Sequence, residues 1–231
     1  MRRIPLSSFV VPFYNNADTL AETIQSCLNQ TEKRIELILV NDCSTDSFKP
    51  ILEHFCQKDS RIQVIHLPRN LGRSLARNTG IAAAQSEILM MLDADDVAMP
   101  ERAKETIKFF KKNPGVEIVH GSFFMADALL NVTGLVEAQS FDIHRLINTK
   151  FAFIGHSTMA FQKRVFEQVQ YTDGDFSRNA IDDWKFQVDA YKAGCSFGAI
   201  KKPLAYYRFV PKERNEAKIL ELKNSCLTTV S

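Results

Sequence analysis

Apolar runs and helical patterns alternate along the first half of the chain. Short apolar runs predict strands, whereas apolar residues that recur at three- or four-residue spacing predict helices. The predicted strands are Phe9–Pro12, Ile35–Val40, Arg61–Leu67, Ile88–Leu92 and a fifth that opens at Val116–Val119. The predicted helices are Ala17–Gln30, Phe48–Gln57, Gly72–Ala84 and Pro100–Lys112. This alternation favours an α/β fold, with a mostly parallel sheet and helices on both faces.

The pattern is less regular after about residue 126. Residues 131–134 predict a turn, and Ser157–Phe161 predicts a strand. The predicted helices of this half are Phe141–Asn148, Lys163–Val169 and Asp182–Ala193, the last of which is ended by Gly194. We expect a single domain over residues 1–231, with a regular half over about 7–125, a less regular half over about 126–210, and a polar, helix-prone tail over 211–231.

Polar side chains follow four of the predicted strands at the point where each strand ends. They are Tyr14 and Asn15 after the first strand, Asp42 after the second, Asn70 after the third, and Asp93 and Asp95 after the fourth. In open α/β sheets, ligands bind in the crevice beyond the carboxyl ends of the strands. These positions therefore predict a ligand-binding edge of the sheet.

The segment Asp93-Ala94-Asp95-Asp96 places three carboxylates at the end of an apolar strand. Their mutual repulsion raises the pKa of some of them unless a cation lies among them. Oxygen ligands of this kind suit Mg²⁺ or Mn²⁺, which proteins often hold through one or two carboxylates and the phosphates of a substrate. A structural alternative is that Asp95 or Asp96 caps the helix that begins near Pro100.

The segment after the second strand offers both a binding residue and helix caps. The carboxylate of Asp42 is placed to accept hydrogen bonds from a nucleoside, as an acidic residue does in dinucleotide-binding folds. Thr45 and Asp46 are interpreted as caps of the helix that follows them.

The segment Asn70–Gly80 begins as a loop and enters a predicted helix. Gly72 permits a close approach of the backbone, and the amino terminus of a helix favours anions. Arg73 is therefore a candidate phosphate ligand, whereas Arg77 is either a functional cation or the structural partner of a strand-end carboxylate. The sequence carries neither the glycine-rich dinucleotide fingerprint nor the Walker lysine motif.

A second acidic pair, Asp182-Asp183, stands at the start of a predicted helix and far along the chain from the first acidic segment. Asp182 is the natural candidate for a helix cap. A carboxylate of this pair that lies in a cleft can also serve as a general base.

Composition excludes several classes of protein. The formal net charge of +2 gives no basic excess for nucleic acid. The five cysteines form no Cys-x-x-Cys pair, which argues against a zinc ribbon and favours reduced thiols in a cytoplasmic protein. Apolar runs stay short of the roughly 20 residues that a membrane-spanning helix needs.

Taken together, these residues resemble a family 2 glycosyltransferase with the GT-A fold. The matching pieces are Val11–Asn15, Val40–Asp42, Asn70–Gly72, Ala76–Gly80, Asp93–Asp96 and Asp182–Trp184. They occur in the order of the family and cover roughly residues 7 to 208, densely in the first half and loosely in the second. The resemblance implies an inverting transfer of a sugar from a nucleotide-diphosphate sugar.

The resemblance also implies roles on the donor side. Pro12, Tyr14 and Asn15 would line the nucleotide site, Asp42 would hold the base or ribose, and Arg73 would lie near the pyrophosphate. By family frequency, a UDP-sugar is the expected donor. The first half of the chain would then bind the donor and the second half the acceptor.

The acidic residues take the chemical roles that the resemblance implies. Asp95 would bind Mn²⁺ or Mg²⁺ directly, with Asp93 on the metal or donor shell. Asp183 would be the base, and Asp182 would stand where the family usually has Glu. The metal would neutralise charge on the leaving diphosphate while Asp183 deprotonates the acceptor hydroxyl.

The chain departs from the family near its end. Members often carry Tyr-Arg-x-His there, whereas this chain has Tyr207-Arg208-Phe209-Val210. His156 is a candidate for contact with the donor or the acceptor, and a structural histidine is the alternative. The rival functions are a nucleotide-sugar-binding module without turnover and a sugar nucleotidyltransferase. The expected acceptor is a hydroxyl group of a glycan or of a lipid-linked molecule. A lipid-linked acceptor would be compatible with peripheral association at the inner face of the membrane.

Overall fold

The computed structural model describes residues 4–148, 154–178, 181–209 and 216–227. The strands are β1 (Ser7–Phe13), β2 (Ile35–Asn41), β3 (Ile62–His66), β4 (Ile88–Met91), β5 (Val97–Ala98), β6 (Ile118–Ala126), β7 (Val132–Val136), β8 (Ala160–Gln162) and β9 (Phe197–Arg208). The helices are α1 (Ala17–Leu28), α2 (Lys49–Lys58), α3 (Arg73–Ala83), α4 (Arg102–Lys112), α5 (Ile143–Asn148), α6 (Arg164–Gln168), α7 (Asp175–Arg178), α8 (Asp182–Lys192) and α9 (Glu216–Leu227). A 3₁₀ turn, His156–Thr158, precedes β8.

One sheet joins both halves of the chain, in the strand order β3-β2-β1-β4-β8-β6-β9-β5, with β7 beside β6. The four strands at one end, β3, β2, β1 and β4, pair in parallel. Strand β8 then pairs antiparallel with both β4 and β6, so residues just before β8 lie beside the carboxyl end of β4. Strands β6 and β9 are parallel to each other.

Helices cover both faces of this sheet, because the side chains of each strand alternate between two cores. Phe9 and Val11 of β1 pack in one hydrophobic cluster with residues of α1, α2 and α4. Val10 packs in the other cluster with residues of α3, α6 and α8. The predicted α/β class, with helices on both faces, is confirmed.

Helix α3 lies especially close to the sheet at Gly80. A Cβ atom at this position would stand 2.6 Å from Cγ1 of Val10 and 3.0 Å from Cγ2 of Val40. The glycine therefore allows the helix backbone to approach strands β1 and β2. This contact fixes the height of α3, the helix that carries Arg73 and Arg77, above the sheet.

The predicted elements of the first half agree with the observed ones to within about two residues at each end. The main differences lie in the second half, where the short helix α7 was also not predicted. The turn predicted at residues 131–134 is wrong, since most of this segment belongs to strand β7, and the strand predicted at Ser157–Phe161 begins only at Ala160. Strand β9 was not predicted, because Gly198, Pro203 and two lysines interrupt its apolar pattern.

Part of the polar tail is helical, as its composition suggested, in the form of α9. The rest of the tail lies outside the described residues. Among the helices of the described ranges, none has both the length and the apolar content needed to cross a bilayer.

Candidate functional site

The acidic loop, residues 93–96, follows β4 in the middle of the sheet. Its backbone is held by helix α1, because the hydroxyls of Thr19 and Thr23 each lie 2.9 Å from the carbonyl oxygen of Ala94. Thr23 also lies 2.8 Å from the carbonyl oxygen of Asp96. Two threonines one helical turn apart thus anchor the loop at the carboxyl edge of the sheet.

Asp96 does not start the helix that follows, so the interpretation of this residue as a helix-start residue is wrong. Its side chain is buried, accepts a hydrogen bond from the Arg208 amide at 2.7 Å and contacts the Ser157 hydroxyl. Helix α4 begins only at Arg102. Burial raises the pKa of Asp96 well above its usual value, and the charges of Asp95 and Asp93 raise it further. Burial and the neighbouring carboxylates therefore both favour the protonated form of Asp96.

Asp93 is held by two cationic or polar side chains from other elements. Nη2 of Arg77 donates to its Oδ1 at 2.8 Å, and Nδ1 of His156 lies 3.4 Å from the same oxygen. Nε2 of His156 lies 2.9 Å from the hydroxyl of Tyr171. Burial alone would raise the pKa of Asp93, but Arg77 and His156 outweigh it and hold the pKa well below its usual range. Asp93 is therefore ionised, and His156 is a buried neighbour of the acidic loop.

Asp182 at the start of α8 is fully buried. The interpretation of this residue as a helix cap is wrong, since its side chain makes no capping hydrogen bond to α8. Its Oδ2 contacts Nη1 of Arg77, and its Oδ1 lies 3.1 Å from Nε of Arg73. Arg77 therefore pairs with a strand-end carboxylate, Asp93, and with Asp182 at the same time. Of the two interpretations of Arg77, the structural partner of a carboxylate is the one observed.

Asp183 is half-buried beside this network, and its Oδ1 accepts the Trp184 amide at 2.8 Å. Burial raises the pKa of Tyr207, and the charges of Asp96, Asp93, Asp183 and Asp95 raise it further. The charges of the acidic loop and of Asp183, some 90 residues apart in sequence, thus act on the same tyrosine. The fold brings together the two acidic segments singled out in the sequence.

Two loops form the other side of the same edge. Asn15 has a left-handed backbone (φ 54°), and its Oδ1 accepts the Thr45 amide at 2.8 Å. Its own amide donates to the Ser44 hydroxyl at 3.0 Å. The loops after β1 and β2 are therefore joined through Asn15. Between them, Pro12 is partly buried in β1 and the Tyr14 side chain is 46% exposed.

Asp42 lies buried at the end of β2 and shapes the loop before α3. Its two oxygens accept the amides of Leu71, at 2.7 Å, and Gly72, at 2.9 Å. Burial raises the pKa of Asp42, whereas these two hydrogen bonds lower it. Gly72 has a positive φ of 87°, which glycine adopts without strain. The carboxylate thus holds the loop that leads into the amino terminus of α3.

The helix-cap interpretation of Asp46 is wrong in its target. Its Oδ2 accepts the Ala17 amide at 2.7 Å, so the side chain caps α1 rather than the helix that follows it. This hydrogen bond from Ala17 to Asp46 is a further link between the loops that follow β1 and β2.

The sequence analysis assigned no role to three residues that complete this site: Ser157, Tyr171 and Tyr207. Ser157 accepts the amide of Asp93 at 3.1 Å and contacts Asp96. Tyr171 lies under the Arg77 guanidinium, 5.3 Å from ring centre to Cζ. The only signal in the sequence was at Tyr207, the first residue of the Tyr-Arg run near the end of the chain. The other two have none, because each reaches the site from a different element of the second half.

Comparison with known proteins supplies the family. Residues 8–170 match the model of the family described as "Glycosyl transferase family 2". An uncharacterized glycosyltransferase of Haemophilus influenzae is 36% identical over 133 residues, 58% of this chain and 53% of that protein. The putative teichuronic acid biosynthesis glycosyltransferase TuaG of Bacillus subtilis is 36% identical over 105 residues, 46% of this chain and 42% of that protein. The chain thus spans about half the length of these relatives.

Among solved structures, Staphylococcus aureus TarS in complex with UDP-GlcNAc superposes with a TM-score of 0.75. The sequences are 19% identical, and the match covers 96% of this chain and 66% of that chain. At this identity the likeness shows a shared fold, of the GT-A type that the sequence motifs implied. The family match over most of the chain shows more: this chain belongs to glycosyl transferase family 2.

Proposed function

We propose that this domain transfers a sugar from a nucleotide-diphosphate sugar to a hydroxyl group of a glycan acceptor, with inversion at the anomeric carbon. The observation that carries the proposal is that the Arg77 guanidinium binds both Asp93 of the acidic loop and Asp182, the neighbour of Asp183, at the carboxyl edge of the sheet. Donor-side acids and a separate candidate base thus share one site.

The donor fits the edge formed by the strand-end loops. Pro12, Tyr14 and Asn15 would line the nucleotide site at the end of β1, where the Asp42 amide donates to the Phe13 carbonyl at 2.9 Å. The amino terminus of α3 favours the negatively charged diphosphate. Arg73 is 36% exposed and bound to Asp182, so its guanidinium is within reach of a diphosphate placed at that terminus. TarS, which shares the fold, is solved with UDP-GlcNAc, and a UDP-sugar is therefore the first donor to test.

The acidic loop suits a divalent cation. Within the described residues, no three His, Cys, Asp or Glu side chains are grouped to hold a metal ion by themselves. Asp96 is buried, whereas Asp93 and Asp95 are partly exposed. As the family resemblance implies, Asp95 would bind Mn²⁺ or Mg²⁺ directly, with Asp93 beside it. The phosphates of a donor would complete such a site, and the cation would supply charge neutralisation at the leaving diphosphate.

The transfer needs one base and no covalent enzyme intermediate. Asp183 accepts the proton of the acceptor hydroxyl as its oxygen forms a bond to the anomeric carbon. The bond from that carbon to the diphosphate oxygen breaks on the opposite face, so the configuration inverts. The diphosphate leaves with the bonding electron pair. The name of TuaG places that relative in teichuronic acid biosynthesis, which supports a polysaccharide or its precursor as the acceptor.

A screen of nucleotide-sugars by thermal shift, with and without MnCl₂, tests the donor class, because a bound ligand raises the apparent stability of the folded state. We expect at least one nucleotide-diphosphate sugar to raise the melting temperature in the presence of Mn²⁺. The same donor should then release nucleoside diphosphate when incubated with the protein and glycan acceptors. Release of pyrophosphate would indicate a nucleotidyltransferase instead, and stabilisation without turnover would indicate a binding module.

A further inference from the structure

Helix α3 carries an arginine, Arg77, that connects the acidic loop with the helix that carries Asp183. Arg77 is 1% exposed, and its guanidinium contacts Asp93 at the end of β4 and Asp182 at the start of α8. These carboxylates stand 16 and 105 residues away from it in sequence. One planar group thus touches both the acidic loop and the helix that presents Asp183.

The geometry points to Arg77 as a positioning residue that sets the distance between the donor carboxylate Asp93 and the base Asp183. A guanidinium is rigid and planar, and its two terminal nitrogens bind here to two different carboxylates. Since Asp182 and Asp183 are adjacent, the position of Asp182 fixes the first turn of α8. This inference rests on the proposed role of Asp183 as the base.

Several contacts make α3 a firm reference for this distance. Gly80 holds the helix close to Val10 and Val40 of the sheet. On the opposite side of the helix, the side-chain oxygen of Asn78 accepts the Tyr171 amide at 3.0 Å, and its nitrogen donates to the Tyr171 carbonyl at 2.9 Å. The sheet therefore positions α3, and α3 in turn positions the segment that leads to α8.

Stability alone does not explain the arrangement. A buried ion pair gives little net stability compared with apolar side chains of similar volume, because both charges must leave water. Burial lowers the pKa of Arg77, but Asp182 and Asp93 raise it by more, so the guanidinium stays charged. A charged arginine between two carboxylates specifies directions and distances that an apolar cluster would not.

The single tryptophan of the chain provides a test that does not depend on turnover. Trp184 follows Asp183, is 4% exposed, and donates from Nε1 to the Leu146 carbonyl at 3.0 Å. The ¹⁹F resonance of 5-fluorotryptophan at this position reports the first turn of α8. We would compare wild type with Arg77→Lys, which keeps the charge, and with Asp182→Asn, which keeps the size. Asp59→Asn is the matched control, since it breaks an Arg–Asp pair at Arg61, remote from the site.

We expect both site variants to shift or broaden the ¹⁹F resonance. They should also slow nucleoside diphosphate release at least 10-fold per folded molecule, because a misplacement of about 1 Å can cost about 100-fold in rate. In both site variants the rate should fall by a larger factor than donor affinity does, and the control should match wild type. A wild-type resonance and rate in a folded site variant would overturn the inference. If one variant does not fold, the other decides. Absence of donor turnover in wild type would refute the proposed function, whereas the ¹⁹F comparison would still test the positioning.

Discussion

Replacement of Gly80 by alanine tests the close approach of α3 to the sheet. The added Cβ would stand 2.6 Å from Cγ1 of Val10 and 3.0 Å from Cγ2 of Val40. Because non-bonded carbon atoms prefer a separation of about 3.5–4 Å, the helix must move by roughly 1 Å or a valine must change its rotamer. Both valines are fully buried, and β-branched side chains have little rotamer freedom.

Two opposing effects set the magnitude. Overpacking of a core costs about 1–3 kcal/mol, and the size of this overlap places the cost in the upper part of the range. Alanine also gains about 1 kcal/mol over glycine in a helix interior. We therefore expect Gly80→Ala to lower the free energy of unfolding by about 1–2 kcal/mol.

Urea unfolding followed by circular dichroism measures this change. The matched control is Gly115→Ala, because a Cβ at Gly115 meets no atom within 4 Å and its backbone is outside the left-handed region. We expect the control to change stability by less than about 0.5 kcal/mol. A Gly80→Ala protein as stable as wild type would show that α3 does not depend on contact at this glycine.

Two further predictions concern pH and catalysis. Burial lowers the pKa of His120 to about 4 from 6.5, so the folded state favours the neutral ring, and stability should fall as the pH drops from 6.5 towards 4. At about 1.4 kcal/mol per pH unit, the loss in the free energy of unfolding reaches about 3 kcal/mol. His120→Gln should remove this part of the pH dependence of urea unfolding, and the control His54→Gln, at an exposed position, should not. Equal pH slopes in wild type and both variants would contradict the role given to His120. Asp183→Asn should bind donor and Mn²⁺ as wild type does, but it should transfer sugar at least 100-fold more slowly because it lacks the base. A radiolabelled-donor assay measures this rate, and normal transfer would exclude Asp183 as the base.

The sequence predicts the edge of the sheet at which the site lies, because strand ends can be read from local patterns. Asp42 and Asp95 follow apolar runs, and parallel strands bring such ends together. The partners of these residues are not local. Arg77 could be assigned only when Asp182, 105 residues further along, was seen against it. Local spacing likewise favoured the nearer helix as the target of Asp46, whereas the loop geometry directs its carboxylate to Ala17.

The second half was less predictable for a similar reason. Strand β9 is stabilised by its pairing with β6, and two register shifts interrupt this pairing, so its sequence shows no regular alternation. Tyr207 lies on this strand and faces the site from it. A residue that joins a site through long-range pairing leaves no signal in the local pattern of apolar and polar positions.

In the proposed function, the acidic loop binds a nucleotide-sugar through a divalent cation while Asp183 acts on the acceptor. Calorimetric titration of the donor found in the screen, with MnCl₂, into wild type, Asp95→Ala and Asp183→Asn tests it most directly. We predict equal affinity for wild type and Asp183→Asn, and a loss of metal-dependent binding in Asp95→Ala. Unchanged binding by Asp95→Ala would contradict it.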